Sequence, residues 1–81
     1  MKGTILMSQA EIRYCVMWNY YPYAASVAQT LKDNFDLTTT LTPGNRGEFT
    51  VWIDNKKIIE KTGDDFPPED KIVSAVGQII A

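Results

Sequence analysis

Polar and apolar positions alternate with two periods along the chain, and the switches between them mark out six elements. Residues 9 to 15 alternate as a strand, with Ile12 and Tyr14 on one face and Glu11 and Arg13 on the other. From Pro22 to Phe35 the period lengthens. Ala24, Val27, Ala28, Leu31 and Phe35 recur at helical spacing, with Gln29, Lys32 and Asp33 on the outer side. Pro22 suits the first turn, where its missing N–H costs nothing, and Asn34-Phe35-Asp36 reads as the exit. Leu37 to Thr42 is β-branched and short, which predicts a second strand. After the turn Pro43-Gly44-Asn45-Arg46-Gly47, Glu48 to Asp54 alternates again, with Phe49, Val51 and Ile53 inward. Asp54-Asn55 predicts a tight hairpin into Lys57 to Lys61, which carries Ile58 and Ile59.

The loop Thr62 to Pro67 leads to a last helix that opens at Pro68 and buries Ile72, Ala75, Val76, Ile79 and Ile80. Glu69 and Asp70 stand at the positive end of its dipole. Strand, helix, three strands and a helix close most simply as a parallel pair with a crossover helix, extended by an antiparallel hairpin. The predicted fold is α/β: a thioredoxin-like β-α-β-β-β-α two-layer sandwich with a mixed four-stranded sheet. Residues 9–81 form its single domain, and residues 1–8 are read as an N-terminal extension, with Met7 an alternative start.

Composition narrows the chemistry. The chain has 81 residues, 44% hydrophobic and 22% charged, with a net charge of −2. A sequence pI of about 4.9 leaves no basic footprint for nucleic acid and no polybasic membrane anchor. No apolar run approaches the roughly 20 residues of a membrane span, and residues 1–7 lack a secretory core. With no histidine and one cysteine, Ser-His and Cys-His pairs, a Cys-rich zinc site and an internal disulfide are all excluded. No metal site is expected. A lone thiol suits a reducing compartment, so the expected location is cytoplasmic and the expected state a monomer.

That thiol, Cys15, ends the first strand just before a helix. Free N–H groups and the dipole there favour an anion, which lowers a thiol pKa. Against this stands the plain alternative that a lone cysteine packs as a small hydrophobe. Trp18, Tyr20, Tyr21 and Tyr23 follow it within six residues, more aromatic surface than a short turn buries, which suits docking of a protein partner. Trp52 either extends that cluster or covers the other sheet face.

From residue 9 onward the chain resembles the Rdx family of small thioredoxin-like proteins, the selenoprotein W relatives. The resemblance rests on Tyr14-Cys15 at a strand end, Tyr20 and Pro22 after it, the turn Leu41 to Gly47, and Gly47-Glu48-Phe49-Thr50-Val51. It continues through the hairpin Asp54 to Lys61 and the loop Gly63-Asp64-Asp65-Phe66-Pro67. It implies a redox-active centre in a CxxC-like motif, Cys-x-x-Cys or Cys-x-x-selenocysteine, with Cys15 first and Trp18 at the second position. Tryptophan cannot resolve a mixed disulfide. Either Trp18 replaces a selenocysteine or cysteine (UGA and UGG differ in one base), or the protein is a monothiol exchanging with glutathione or protein thiols, or Cys15 is structural in a non-enzymatic interaction module. The resemblance also implies that Tyr20, Phe66 and Pro67 contribute to binding, with Pro67 in the place of the fold's cis-proline, although Pro67 and Pro68 equally suit a plain helix start. No cofactor is implied beyond glutathione as a thiol partner.

Overall fold

The computed structural model describes residues 8–80. The expected extension and the Met7 start therefore lie outside the described residues, Ser8 excepted. The elements run β1 (Ala10–Tyr14), α1 (Tyr21–Phe35), β2 (Thr39–Pro43), β3 (Phe49–Ile53), β4 (Lys56–Glu60) and α2 (Glu69–Ile80). The sheet order is β2-β1-β3-β4; β1 pairs parallel with β2 and antiparallel with β3, and β4 is antiparallel to β3. This is the mixed four-stranded sheet expected.

One core holds it together. Ile12, Phe49, Val51 and Ile53 on the sheet meet Ala24, Val27 and Leu31 of α1 and Ile72 and Val76 of α2 in a single buried cluster. Both helices therefore cover the same sheet face. The other face is open and more polar: Trp52 lies there under Arg13, whose guanidinium carbon is 3.9 Å from the ring centroid. Trp52 thus covers the far sheet face and does not extend the aromatic cluster near Cys15. Ile79, expected in the apolar face of α2, is half exposed.

Local chemistry sets the junctions. Pro22 lies in the first turn of α1, and Asp36 ends that helix in the left-handed region at φ 55°, its N–H returning to Lys32 O. That cap delays β2. Leu37, expected to start the strand, is instead buried in the connection, and pairing begins at Thr39. Asp54 and Asn55 both take positive φ, 51° and 69°, as a two-residue hairpin requires. The hairpin is tied to the start of β1 by Asp54 N–H to Gln9 O and Gln9 N–H to Asp54 Oδ1, both 2.9 Å.

Candidate redox site at the β1–α1 turn

Cys15 leaves the sheet as β1 ends, its N–H still donating to Glu48 O at 2.8 Å. The chain then folds back in a tight turn: Asn19 N–H reaches Val16 O and Tyr20 N–H reaches Cys15 O, both 3.0 Å. Asn19 takes φ 59°, a conformation asparagine tolerates, and this reverses the chain into α1. Tyr20 caps α1 without a side-chain hydrogen bond, and no acidic residue occupies the helix's first turn.

The turn wraps its amides around the sulfur. Trp18 N–H donates to Cys15 Sγ at 3.3 Å. Cys15 is buried, only 1% exposed, and stands outside the apolar core cluster formed by the sheet and helices. Burial pushes the thiol pKa up; the N–H groups of Gly47, Trp18 and Met17 and the charge of Arg46 push it down and prevail, leaving it below the ordinary thiol value. Such a sulfur reaches its thiolate form at a lower pH than an ordinary thiol.

Gly47 and Arg46 reach the site from across the sheet, in the loop between β2 and β3. That loop is pinned by a chain of bonds from the open face. Trp52 Nε1–H donates to Thr50 Oγ1 at 2.8 Å, Thr50 Oγ1–H to Glu48 Oε2 at 2.7 Å, and Asn45 N–H to Glu48 Oε1 at 2.8 Å. Sequence reasoning read this stretch as a turn and missed its part in the site. The signal was present as a glycine two residues before the strand's inward Phe49.

The aromatic residues divide by role. Trp18 is 53% exposed and packs over Gly47, where a Cβ would stand 3.0 Å from Trp18 Cζ3. Its ring meets Tyr20 edge-on at 6.2 Å, Tyr20 meets Phe66 at 4.7 Å, and Phe66 meets Phe49 at 5.5 Å. Tyr20 and Phe66 thus link the exposed turn to the core. Tyr23 packs on Phe66 and Phe49, whereas Tyr21 turns away onto Tyr14. Val16, Met17 and Tyr21 are exposed with Trp18.

Pro67 is buried, and its carbonyl accepts Tyr23 Oη–H at 2.5 Å. No peptide bond is cis among the described residues, so Pro67, the candidate for the fold's cis-proline, is trans, and it ties the loop to α1 as the alternative reading of a plain helix approach allows. A cavity of about 760 Å³ is lined by Gln9, Phe35, Leu37, Asn55 and Ile80 among others, at the opposite end of β1 from Cys15. It contains no residue of the β1–α1 turn. No group of three or more potential metal ligands and no helix long and apolar enough to cross a membrane occurs among the described residues.

The Rdx family model matches residues 9–78, from the start of β1 almost to the end of α2. The chain belongs to the Rdx family. A selenoprotein W-related protein from Vibrio cholerae has a TM-score of 0.83 to this member at 25% identity, covering 94% of this chain and 100% of that one. A protein from Bordetella parapertussis gives a TM-score of 0.84 at 25% identity, covering 93% and 100%. No curated protein sequence matches the chain. The fold is thus that of the selenoprotein W-like, thioredoxin-like proteins, and this Rdx member has tryptophan at position 18 after Cys15.

Proposed function

We propose that this Rdx protein carries out thiol–disulfide exchange through Cys15, acting as a monothiol in a reducing compartment such as the cytoplasm. The observation that supports it is the cradle of Met17, Trp18 and Gly47 amides that, with Arg46, holds the thiol pKa down. Cys15 is buried, so the β1–α1 turn opens to let its thiolate attack one sulfur of glutathione disulfide or of a protein disulfide. A new S–S bond forms as the old one breaks, and the departing sulfur leaves as a thiolate that takes up a proton from water. Trp18 offers no second thiol, so an external thiolate, from glutathione or a partner protein, attacks the mixed disulfide and releases Cys15. The exposed side chains of Val16, Met17, Trp18 and Tyr21 suit docking of the protein that brings the disulfide.

Alkylation of Cys15 as a function of pH tests this, together with the mass of the adduct formed with glutathione disulfide. A thiol pKa below about 8.5 and a single glutathione on Cys15 are expected. A pKa at or above that value, with no adduct, overturns the reading. If Cys15→Ala then leaves partner binding unchanged while Trp18→Ala abolishes it, the protein is a non-enzymatic interaction module.

The contrast between Cys15 at 1% and Trp18 at 53% exposure favours a second reading of the native motif. Position 18 is the half a partner meets first. A selenocysteine there would attack, and Cys15 would resolve the intermediate. Codon 18 of the native gene decides it: UGA followed by a selenocysteine insertion element supports this reading, and UGG without one removes it.

A further inference from the structure

The two edges of the sheet are defended differently. The outer strand β4 carries Lys56, Lys57 and Glu60, and the β3–β4 ladder is broken by a register shift at Val51/Trp52. Charges and bulges of this kind keep other strands away. At the opposite edge, Leu37 to Gly44 contains no charged residue.

The direction of the β2 main chain follows from two bonds. Gly44 N–H donates to Tyr14 O, and Cys15 N–H donates to Glu48 O, each at 2.8 Å. Main-chain groups alternate along a strand, so Ala10, Ile12 and Tyr14 face β2 while Glu11, Arg13 and Cys15 face β3. On β2, Thr40 and Thr42 then face β1. Thr39, Leu41 and Pro43 face outward, and Pro43 stands where an N–H would have no partner within the sheet. The outer edge therefore presents two donors, on Thr39 and Leu41, and three carbonyl acceptors.

This set is self-complementary about Leu41. In an antiparallel pair of β2 strands, Leu41 N–H meets the Leu41 carbonyl of the second copy in both directions. Thr39 N–H meets the Pro43 carbonyl, again in both directions. The missing Pro43 donor costs two bonds and leaves four. On the helix side the two Leu41 side chains meet beside a shallow groove lined by Ala25, Ala28 and Leu37. The one cation there, Lys32, is paired with Asp36 at 2.7 Å. On the open face Thr40 stands opposite Thr42 of the other copy, without charge repulsion.

We propose that β2 is a docking edge for a second copy of this chain, paired antiparallel about Leu41, which joins two four-stranded sheets into one of eight strands. This goes beyond the exchange chemistry of Cys15 and does not depend on it.

Sedimentation from micromolar to millimolar concentration, with reductant present so that Cys15 forms no interchain bond, is expected to show a reversible monomer–dimer equilibrium. Amide exchange in the same samples is expected to slow at Thr39 and Leu41 as concentration rises. Thr39→Pro removes an outward donor and leaves the ladder to β1 intact, so it is expected to weaken the dimer about tenfold with an unchanged circular dichroism spectrum. A monomer at every concentration overturns the proposal. So does protection of Thr39 and Leu41 that is independent of concentration, or a dimer that Thr39→Pro leaves unaltered.

Discussion

The backbone N–H of Trp18 donates to Sγ of Cys15, so residue 18 acts on the thiol through its main chain whatever its side chain is. Because the folded thiol pKa lies below its unfolded value of about 8.5, Cys15 contributes stability that is complete above that value. The contribution is lost as pH falls through the folded pKa. The difference in thermal midpoint between this chain and Cys15→Ser is expected to widen with rising pH across that window. Trp18→Pro, which deletes the N–H, is expected to raise the Cys15 pKa; Trp18→Phe, which keeps it, is expected not to. Alkylation profiles of the two variants check this, and coincident profiles would show that the 3.3 Å contact contributes nothing to the thiol's acidity.

Gly47 couples the loop after β2 to the indole of Trp18. Its φ of 74° is unfavourable for any residue with a Cβ, and an added Cβ would stand 3.0 Å from Trp18 Cζ3. Gly47→Ala is expected to cost about 1–2 kcal/mol from the backbone alone. The exposed indole can yield, so the steric part is expected as a displaced Trp18, read as a change in its fluorescence. Gly47→Asn is expected to recover part of the backbone cost, since asparagine enters the left-handed region more readily. Equal unfolding free energies for the alanine variant and the parent would contradict this.

How much of this was legible in the sequence depended on how local each cause was. The β3 alternation, the stripe of α1 and the Asp54-Asn55 hairpin lie within a few residues of one another, and the structure has them as expected. β2 begins two residues late because the left-handed Asp36 cap and the burial of Leu37 take up the connection, a tertiary demand that threonine propensity does not register. At the site, Cys15 at the strand end was readable. The amide of Gly47 was not, because it reaches the sulfur through the β1–β3 pairing, more than 30 positions along the chain. The aromatic run looked like one patch by spacing. Only the packing separates Trp18 on the outside from Tyr20 and Tyr23 against Phe66, and Tyr21 against Tyr14.

Tyr23 carries the tie between α1 and the loop before α2 through its bond to Pro67 O. Tyr23→Phe removes that donor and is expected to cost about 1 kcal/mol at neutral pH, measured by denaturant unfolding. Burial, then the charges of Glu69 and Asp70, raise the Tyr23 pKa above its ordinary value. The protonated phenol is therefore favoured in the folded chain, and its contribution is present below pH of about 10 and lost as pH rises toward the folded value. The stability gap between parent and Tyr23→Phe is accordingly expected to shrink in strong alkali. A gap that stays constant there would show that the phenol is not held protonated by the fold.

Trp18→Cys tests whether the β1–α1 turn is a two-residue redox scaffold with one member replaced. The turn is closed by Asn19 N–H to Val16 O and Tyr20 N–H to Cys15 O, and the amide of residue 18 already touches Sγ. A thiol at position 18 would sit on the exposed side, where Trp18 is 53% accessible, with Cys15 beneath it. The variant is expected to lose both free thiols on mild oxidation, with a mass lower by two hydrogens, and to reduce a protein disulfide catalytically when supplied with a dithiol as electron donor. The parent chain, lacking the resolving group, is expected to turn over only when the dithiol itself attacks the Cys15 mixed disulfide, and therefore much more slowly. Removal of the indole also frees Gly47 from its packing, so amide spectra of the reduced variant are needed to show the loop still in place. If the fold is kept and positions 15 and 18 still form no disulfide, the turn is not a dithiol scaffold, and Cys15 is left to single-thiol exchange or to packing.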